Sequence, residues 1–297
     1  MTALDGDLAR TVAAVADAGT LDAAAALLNI TPSAVSQRIR ALETQLGHAV
    51  LLRTRPVVLT DAGETVVRFA RQLDLLESDL LADLSPGRAG DPTPLAIVVD
   101  ADSLHTWALA ALRGLADRVV FEVLRADATH SLALLRSGRA AGAVTTEAKP
   151  MPGCAVETLG SMRYLAVCSP GFAERWLGAG ADPAGLAVAP SVAFDRTDDL
   201  HLRCLERLGA SPAPAAPRAH LIPSAAECTR AIELGIGWGA VPELACVEPV
   251  RRGDLVLIDP QGFLDVPLYW QRWRRASPTL RAVSDALREA AATSLRR

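Results

Sequence analysis

The sequence predicts an α+β protein of several domains, in which a small helical N-terminal domain, one long helix and a larger two-lobed α/β domain follow one another. Three patterns carry this prediction. Short helical segments fill about the first sixty residues, an apolar seven-residue repeat comes next, and alternating strand and helix patterns occupy the rest. The 297 residues, half of them apolar, suffice for two or three domains that each bury a core.

The N-terminal region is predicted to contain three short helices and a β-hairpin. An apolar stripe that ends at Gly19 marks the first helix, and Thr20 is placed to cap the second. Thr31 caps the third helix, which begins at Pro32, where a missing backbone N–H costs nothing. Residues 50–59 are β-prone and interrupted by a proline, which predicts a short hairpin or wing.

A longer helix is predicted from Asp61 onward, and it carries a narrow apolar seam. Two lines of apolar residues at seven-residue spacing form the seam: Val66, Phe69, Leu73, Leu76 and Leu80. Such a seam is typical of a coiled-coil dimer helix. A helix that packs only on its own domain remains the alternative.

The clearest boundary in the chain follows the long helix, where three prolines and two glycines fall within residues 85–94. Beyond it, strands alternate with helices, which predicts a mostly parallel sheet. The predicted strands are 95–99, 119–124, 141–145, 164–168, 188–194, 219–222, 238–241 and 268–273. The predicted division is 1–60 for the N-terminal domain, 61–85 for the long helix, 86–94 for a hinge, 95–160 with 267–297 for the first lobe, and 161–266 for the second.

Composition excludes several classes of protein. The five cysteines are odd in number and show no C-x-x-C spacing, which argues against a disulfide framework and a zinc site. No apolar leader or membrane-spanning stretch is visible, so we expect a cytoplasmic protein without a membrane partner. No catalytic motif is present, and the glycine run at 235–240 follows a helix rather than a strand. We therefore expect neither an enzyme nor a cofactor.

The third helix is the strongest candidate for binding double-stranded DNA. Its outward positions and the wing carry side chains that can hydrogen-bond bases or phosphates: Thr31, Ser33, Ser36, Gln37, Arg40, Arg53 and Arg55. Between residues 31 and 60, four arginines stand against one glutamate and no aspartate, although the whole chain has a net charge of −4. This local positive charge favours phosphate binding. A generic helical bundle remains the alternative.

The same region resembles the N-terminal signature of LysR-type transcriptional regulators. The matching residues are Gly19-Thr20, Ala24-Ala25, Leu28, Thr31, Ala34-Val35-Ser36, Ile39, Leu42-Glu43, Leu46-Gly47, Leu51, Arg53-Thr54, Leu59-Thr60 and Ala62-Gly63. The resemblance implies a winged helix-turn-helix in which Ser36 lines the recognition helix and Arg53 lies in the wing. It also implies a homodimer, or a tetramer built from dimers. Pro32 and Gln37 depart from the pattern of many members, so base preference does not transfer.

The second half resembles the branch of that family formed by the ArgP and LysG regulators. Residues 100–107, 192–201 and 268–270 carry this resemblance. It implies an effector domain with two lobes, like those of periplasmic binding proteins, that senses lysine or arginine. Control of a gene for basic amino acid export is implied as well. The alternatives are a family member with another effector and a nucleoid-type protein that needs no ligand.

The candidate effector site follows from the charges of a basic amino acid. A carboxylate suits a helix N-terminus, and cationic groups need carboxylates. Acidic and hydroxyl side chains near predicted strand ends and helix starts are therefore the candidates: Asp102, Ser103, Asp127, Thr146, Asp195 and Ser224. Each of them could instead be a helix cap and nothing more.

Overall fold

A computed structural model describes residues 4–52, 54–84, 92–125, 128–178, 183–210, 219–275 and 277–297. Arg53 and Asp127, two of the candidate site residues, lie outside this part of the chain. None of the helices within these ranges is both long enough and apolar enough to cross a membrane.

The N-terminal domain has the predicted three helices and hairpin. Its elements are α1 (Gly6–Ala18), α2 (Leu21–Leu27), α3 (Pro32–Leu46), β1 (Leu51–Leu52) and β2 (Val58–Leu59). The side chains of Thr20 and Thr31 accept hydrogen bonds from the N–H groups of Ala23 and Ala34, so both predicted caps are confirmed. β1 and β2 pair antiparallel and form the wing.

The long helix α4 (Asp61–Leu84) uses its apolar seam in two different ways. Val66 is 4% exposed and lies in the core of the N-terminal domain, and Phe69 packs against the same core. Leu76 and Leu80 are 48% and 55% exposed. The prediction of an intermolecular seam is therefore wrong for Val66, because the first turns of α4 close the core of their own domain.

The α/β domain contains nine strands and eleven helical segments within the described residues. The strands are β3 (Thr93–Val98), β4 (Val119–Leu124), β5 (Gly142–Thr145), β6 (Cys154–Cys168), β7 (Val192–Ala193), β8 (His220–Leu221), β9 (Gly239–Pro242), β10 (Val256–Leu257) and β11 (Leu264–Trp273). The first helix is built of successive segments, α5 (Ala101–Ser103), a π-helical turn (Leu104–Ala108), α6 (Leu109–Leu112) and a 3₁₀ turn (Arg113–Leu115). The others are α7 (Ala128–Arg136), α8 (Pro170–Trp176), α9 (Pro183–Val188), α10 (Leu200–Arg207), α11 (Ala225–Glu233), α12 (Glu243–Arg252) and α13 (Pro278–Ser294).

Two long strands, β6 and β11, connect the lobes. They pair antiparallel along most of their length, with a shift in register between Leu268 and Tyr269. In the first lobe β3 lies parallel to β4 and β5, whereas β5 pairs antiparallel with β11. In the second lobe β9 and β10 pair antiparallel with the far end of β6. The prediction of a mostly parallel sheet is therefore wrong, since β6 and β11 run antiparallel to each other and to their other neighbours.

Two strand predictions need correction. The strand predicted at 164–168 is only the last third of β6, whose first residues alternate less clearly in the sequence. The strand predicted at 188–194 is reduced to Val192–Ala193, and Val188 at its predicted start is the last residue of α9. The predicted return strand at 268–273 is confirmed and begins earlier, at Leu264.

The linker helix α4 is also attached to the first lobe of its own chain. The Arg71 guanidinium donates a 2.7 Å hydrogen bond to the carbonyl of Gly138 and pairs with Asp17 of α1. Near the other end of α4, the buried Asp79 carboxylate accepts hydrogen bonds from the N–H and the hydroxyl of Thr279, in the first turn of α13. These contacts join the N-terminal domain, the linker helix and the first lobe.

Candidate functional site

The outer face of α3 carries a row of unengaged polar side chains. Ser33, Ser36, Gln37 and Arg40 follow one another at helical spacing, so they lie on one side of the helix. All except the half-buried Ser36 are exposed. Within the described chain, no hydrogen bond or ion pair occupies the side chains of Ser36, Gln37 or Arg40. Their donors and acceptors are thus available to a nucleic acid.

A groove between α3 and the wing continues this face. It encloses about 520 Å³ and is lined by Ser36 and Arg40 on the helix side and by Thr54 and the exposed Arg55 on the wing side. Arg38 points elsewhere, because its guanidinium donates a 3.4 Å hydrogen bond to the hydroxyl of Thr11 in α1. It contributed to the predicted local charge but does not belong to this face.

A second cavity of about 970 Å³ opens between the two lobes of the α/β domain. Its charged lining consists of Asp100, Asp102, Asp195, Asp198 and Asp199 together with Arg125 and Arg203. Three of the predicted effector residues, Asp102, Thr146 and Asp195, line this cleft. Tyr164 and Phe194 add aromatic surface. The cleft is within the size range of sites for small molecules.

Asp102 joins the two sides of the cleft. It lies in the short helix α5 of the first lobe, and its Oδ2 accepts a 2.7 Å hydrogen bond from the hydroxyl of Tyr164 on β6. The pKa of Asp102 is raised to about 7, chiefly by burial and also by the nearby charges of Asp100 and Asp198, against the opposing effect of the Tyr164 hydrogen bond. Burial also raises the pKa of Asp100. A cation placed here would favour the ionised carboxylates.

Ser224 holds the predicted position directly before a helix, whereas Ser103 does not. The first helix of the domain begins at Ala101, and Asp100 caps it by accepting a 2.9 Å hydrogen bond from the N–H of Ser103. The backbone N–H of Ser103 is therefore occupied, and its side chain is fully buried. Ser224 precedes α11, but its hydroxyl donates to the carboxylate of Glu227 and it does not line the cleft.

The carboxylates of Asp195 and Asp198 in the second lobe accept hydrogen bonds within their own loop. Asp195 Oδ1 accepts 2.7 Å hydrogen bonds from the N–H and the hydroxyl of Thr197. Asp198 accepts from the N–H of Phe194 at 2.8 Å and from that of Leu200 at 3.1 Å. Both carboxylates thus cap the loop and still supply negative charge to the cleft, so the two roles considered for Asp195 coexist.

Two cleft arginines were missed by sequence reasoning. Arg125 directly follows β4 in the first lobe, and its guanidinium lies 5.5 Å from the centre of the Phe194 ring in the second lobe. Arg203 lies on α10. Neither forms an ion pair with an acid among the described residues. The position of Arg125 at the end of a strand was the available signal, since ligands bind at that edge of such sheets.

Helix α7 separates the cleft from the linker helix α4. Ala133 and Leu134 line the cleft. Near its end, the guanidinium of Arg136 pairs with Glu64 of α4 at 3.2 Å, and the Arg136 carbonyl accepts a 3.4 Å hydrogen bond from Arg68. A movement of α7 in response to a ligand would therefore act directly on the linker helix.

Comparison with known proteins follows the same division of the chain. Residues 7–64 match the family of bacterial regulatory helix-turn-helix proteins of the lysR type, and residues 93–292 match the LysR substrate-binding domain. The chain is 43% identical over 288 residues to the HTH-type transcriptional regulator LysG of Mycobacterium tuberculosis, which covers 97% of this chain and 94% of the relative.

Solved structures extend this similarity to the whole fold. The crystal structure of ArgP from Mycobacterium tuberculosis is 41% identical, has a TM-score of 0.89, and matches 99% of both chains. Full-length LysG from Corynebacterium glutamicum with the bound effector arginine is 36% identical, has a TM-score of 0.84, and matches 99% of this chain and all of that one. The latter relative is described as a lysine export transcriptional regulatory protein.

Proposed function

Because this chain belongs to the LysR family of bacterial transcriptional regulators, we propose that its cleft binds a basic amino acid, lysine or arginine, and that this binding controls transcription of a gene for basic amino acid export. The observation that carries the proposal is the charge of the cleft, where five aspartates stand against two arginines. Lysine and arginine each bear two cationic groups and one carboxylate, so they complement this excess of negative charge.

The relatives support the same ligand class. One is described as a regulator of lysine export, and its solved structure holds arginine as effector. A family member with a neutral or acidic effector would not need so many carboxylates around its ligand, since an unpaired buried charge is costly. A nucleoid-type protein that responds to no ligand would have no use for the cleft.

DNA is the second partner in this proposal. The polar face of α3 and the wing would contact bases and phosphates in the major groove through Ser36, Gln37, Arg40 and Arg55. The exposed apolar side chains at the end of α4 would hold two copies together, so that the dimer presents two recognition helices. A protein with these partners works in the cytoplasm.

Ligand binding would reach the DNA-binding domain through the first lobe. An amino acid held by groups from both lobes changes the balance between their arrangements only if it binds one arrangement better. Helix α7 contacts both the cleft and the linker helix, and Asp79 of the linker helix is bonded to α13. Through these contacts, a change at the cleft would alter the orientation of the recognition helices.

Calorimetric titration of the purified protein tests the ligand class. We expect arginine and lysine to bind with one site per chain, and leucine and glutamate to show no measurable heat of binding. In a parallel gel-shift assay with promoter DNA, only the basic amino acids should change the affinity. Equal binding of all four amino acids, or binding of glutamate alone, would contradict the proposal.

A further inference from the structure

The two arginines of the cleft are not explained by attraction of a cation. In a partly desolvated cleft, a guanidinium repels a cationic ligand unless an anionic group of the ligand lies beside it. Arg125 and Arg203 are the cationic residues among the described residues that line the cleft. The only anionic group of a basic amino acid is its α-carboxylate. One of the two arginines is therefore the expected partner of that group.

The position of Arg125 distinguishes it from Arg203. Arg125 extends from the end of β4 in the first lobe, and its guanidinium lies over the ring of Phe194 in the second lobe. A guanidinium held over an aromatic ring keeps its in-plane N–H donors free for a bidentate carboxylate. Arg203 instead lies on α10, in the same lobe as the acidic loop, and its backbone N–H bonds to the carbonyl of Asp199.

We infer that Arg125 binds the α-carboxylate of the effector and thereby makes the cleft selective for amino acids over amines of the same length that lack the carboxylate. This inference rests on the proposed function. A carboxylate seated between Arg125 and Phe194 lies where the two lobes meet, while Asp102 and Asp198 provide negative charge for the cationic groups. The same contact would hold the lobes together around the ligand.

The test compares arginine with agmatine, which keeps the guanidinium and the aliphatic chain but has no carboxylate. Calorimetry on the wild-type protein should show arginine binding ~10- to 100-fold more tightly than agmatine, the effect of a charged hydrogen-bonded pair. Arg125→Met keeps an unbranched side-chain stem and removes the charged guanidinium. In this variant the ratio of the two affinities should fall close to one, chiefly because arginine binds more weakly.

Arg203→Met is the matched control, since it removes the same charge from the same cleft and should preserve the preference for arginine. Arg125→Lys guards against a folding defect, because it keeps the charge and should retain part of the preference. An unchanged ratio in Arg125→Met, or a ratio lost in Arg203→Met instead, would overturn the inference while leaving the proposed function intact. A wild-type protein that binds neither compound would overturn the proposed function, and the inference with it.

Discussion

The helix α3 that we propose to face DNA and the cleft that we propose to bind the ligand are built in opposite ways. The first is a row of side chains between Ser33 and Arg40 on one helix, mostly exposed and largely without partners among the described residues. The cleft draws its charged and aromatic groups from positions as far apart as Asp100 and Arg203, and several of them are already bonded to one another. One surface depends on a single helix, and the other depends on the packing of two lobes.

The difference has a consequence for how the protein responds to change. A substitution on the outer face of α3 should alter one proposed contact with DNA and leave the fold unaffected, because no hydrogen bond or ion pair among the described residues uses the side chains of Ser36, Gln37 or Arg40. A substitution in the cleft changes bonds that also position its neighbours, as at Asp102 with Tyr164 and at Asp198 with the Phe194 backbone. Substitutions should therefore affect DNA binding and ligand binding separately, and three variants test this separation.

The largest expected effect comes from the linker helix that joins the two regions. Leu80→Arg would place a charge in the proposed dimer seam, which costs several kcal/mol unless the charge is paired. We expect a monomer in sedimentation at micromolar concentration, and DNA affinity lowered by ~10²- to 10⁴-fold as the second recognition helix is lost. Affinity for arginine should not change, because each cleft is formed within one chain.

Leu80 suits this test better than Leu73, because Leu73 is half-buried and lies close to Gly6 of α1. A charge at Leu73 would therefore also disturb packing within its own domain. The matched control is Val247→Arg, at a side chain that is 61% exposed on α12 of the second lobe. It should leave the dimer and DNA affinity unchanged. A Leu80→Arg protein that remains dimeric would move the dimer contact away from this end of α4.

The next effect concerns Asp102 and the pH dependence of ligand binding. Burial raises the pKa of Asp102 to about 7, and only the ionised carboxylate attracts a cation. Affinity for arginine should therefore fall about tenfold between about pH 8 and about pH 6. Asp102→Asn should weaken binding by ~10- to 100-fold at the higher pH.

Asp102→Asn should also reduce the pH dependence, because the group that titrates has been removed. Tyr164 stays protonated throughout, since its pKa is raised well above its ordinary value of 10.0. The buried Asp100, whose pKa is also raised, would account for any residual slope. DNA binding without ligand provides the control and should be unaltered. A pH profile that is the same in wild type and variant would exclude Asp102 as the titrating group.

The smallest effect is expected on the DNA-facing helix. Arg40→Ala should weaken binding to specific and non-specific DNA by roughly tenfold, and should flatten the slope of log affinity against log salt by about one if Arg40 contacts a phosphate. Arg38→Ala is the control, because that guanidinium is bonded to Thr11 and should leave the slope unchanged. Equal slopes in wild type and Arg40→Ala would remove Arg40 from the phosphate contacts.

The N-terminal domain could be predicted closely from local sequence patterns. Thr20 and Thr31 cap the starts of α2 and α3, and Gly19 and Gly47 cap the ends of α1 and α3 with the positive φ of 72° that favours glycine. Each of these signals acts within three or four residues of itself. Hydrogen bonds of such short range are decided by local sequence, so the caps, the turns and the polar face of α3 could all be predicted.

The cleft, in contrast, depends on contacts between distant parts of the chain. The bond between Asp102 and Tyr164 spans 62 positions of the chain, and Arg125 meets Phe194 from the other lobe. Acidic residues near strand ends indicated the region, but the sequence did not show that Asp100, rather than Ser103, caps the helix. The antiparallel pairing of β6 and β11 across both lobes was not predicted either. Contacts of this range depend on how whole strands and helices pack, and a one-residue shift in strand register would change every partner.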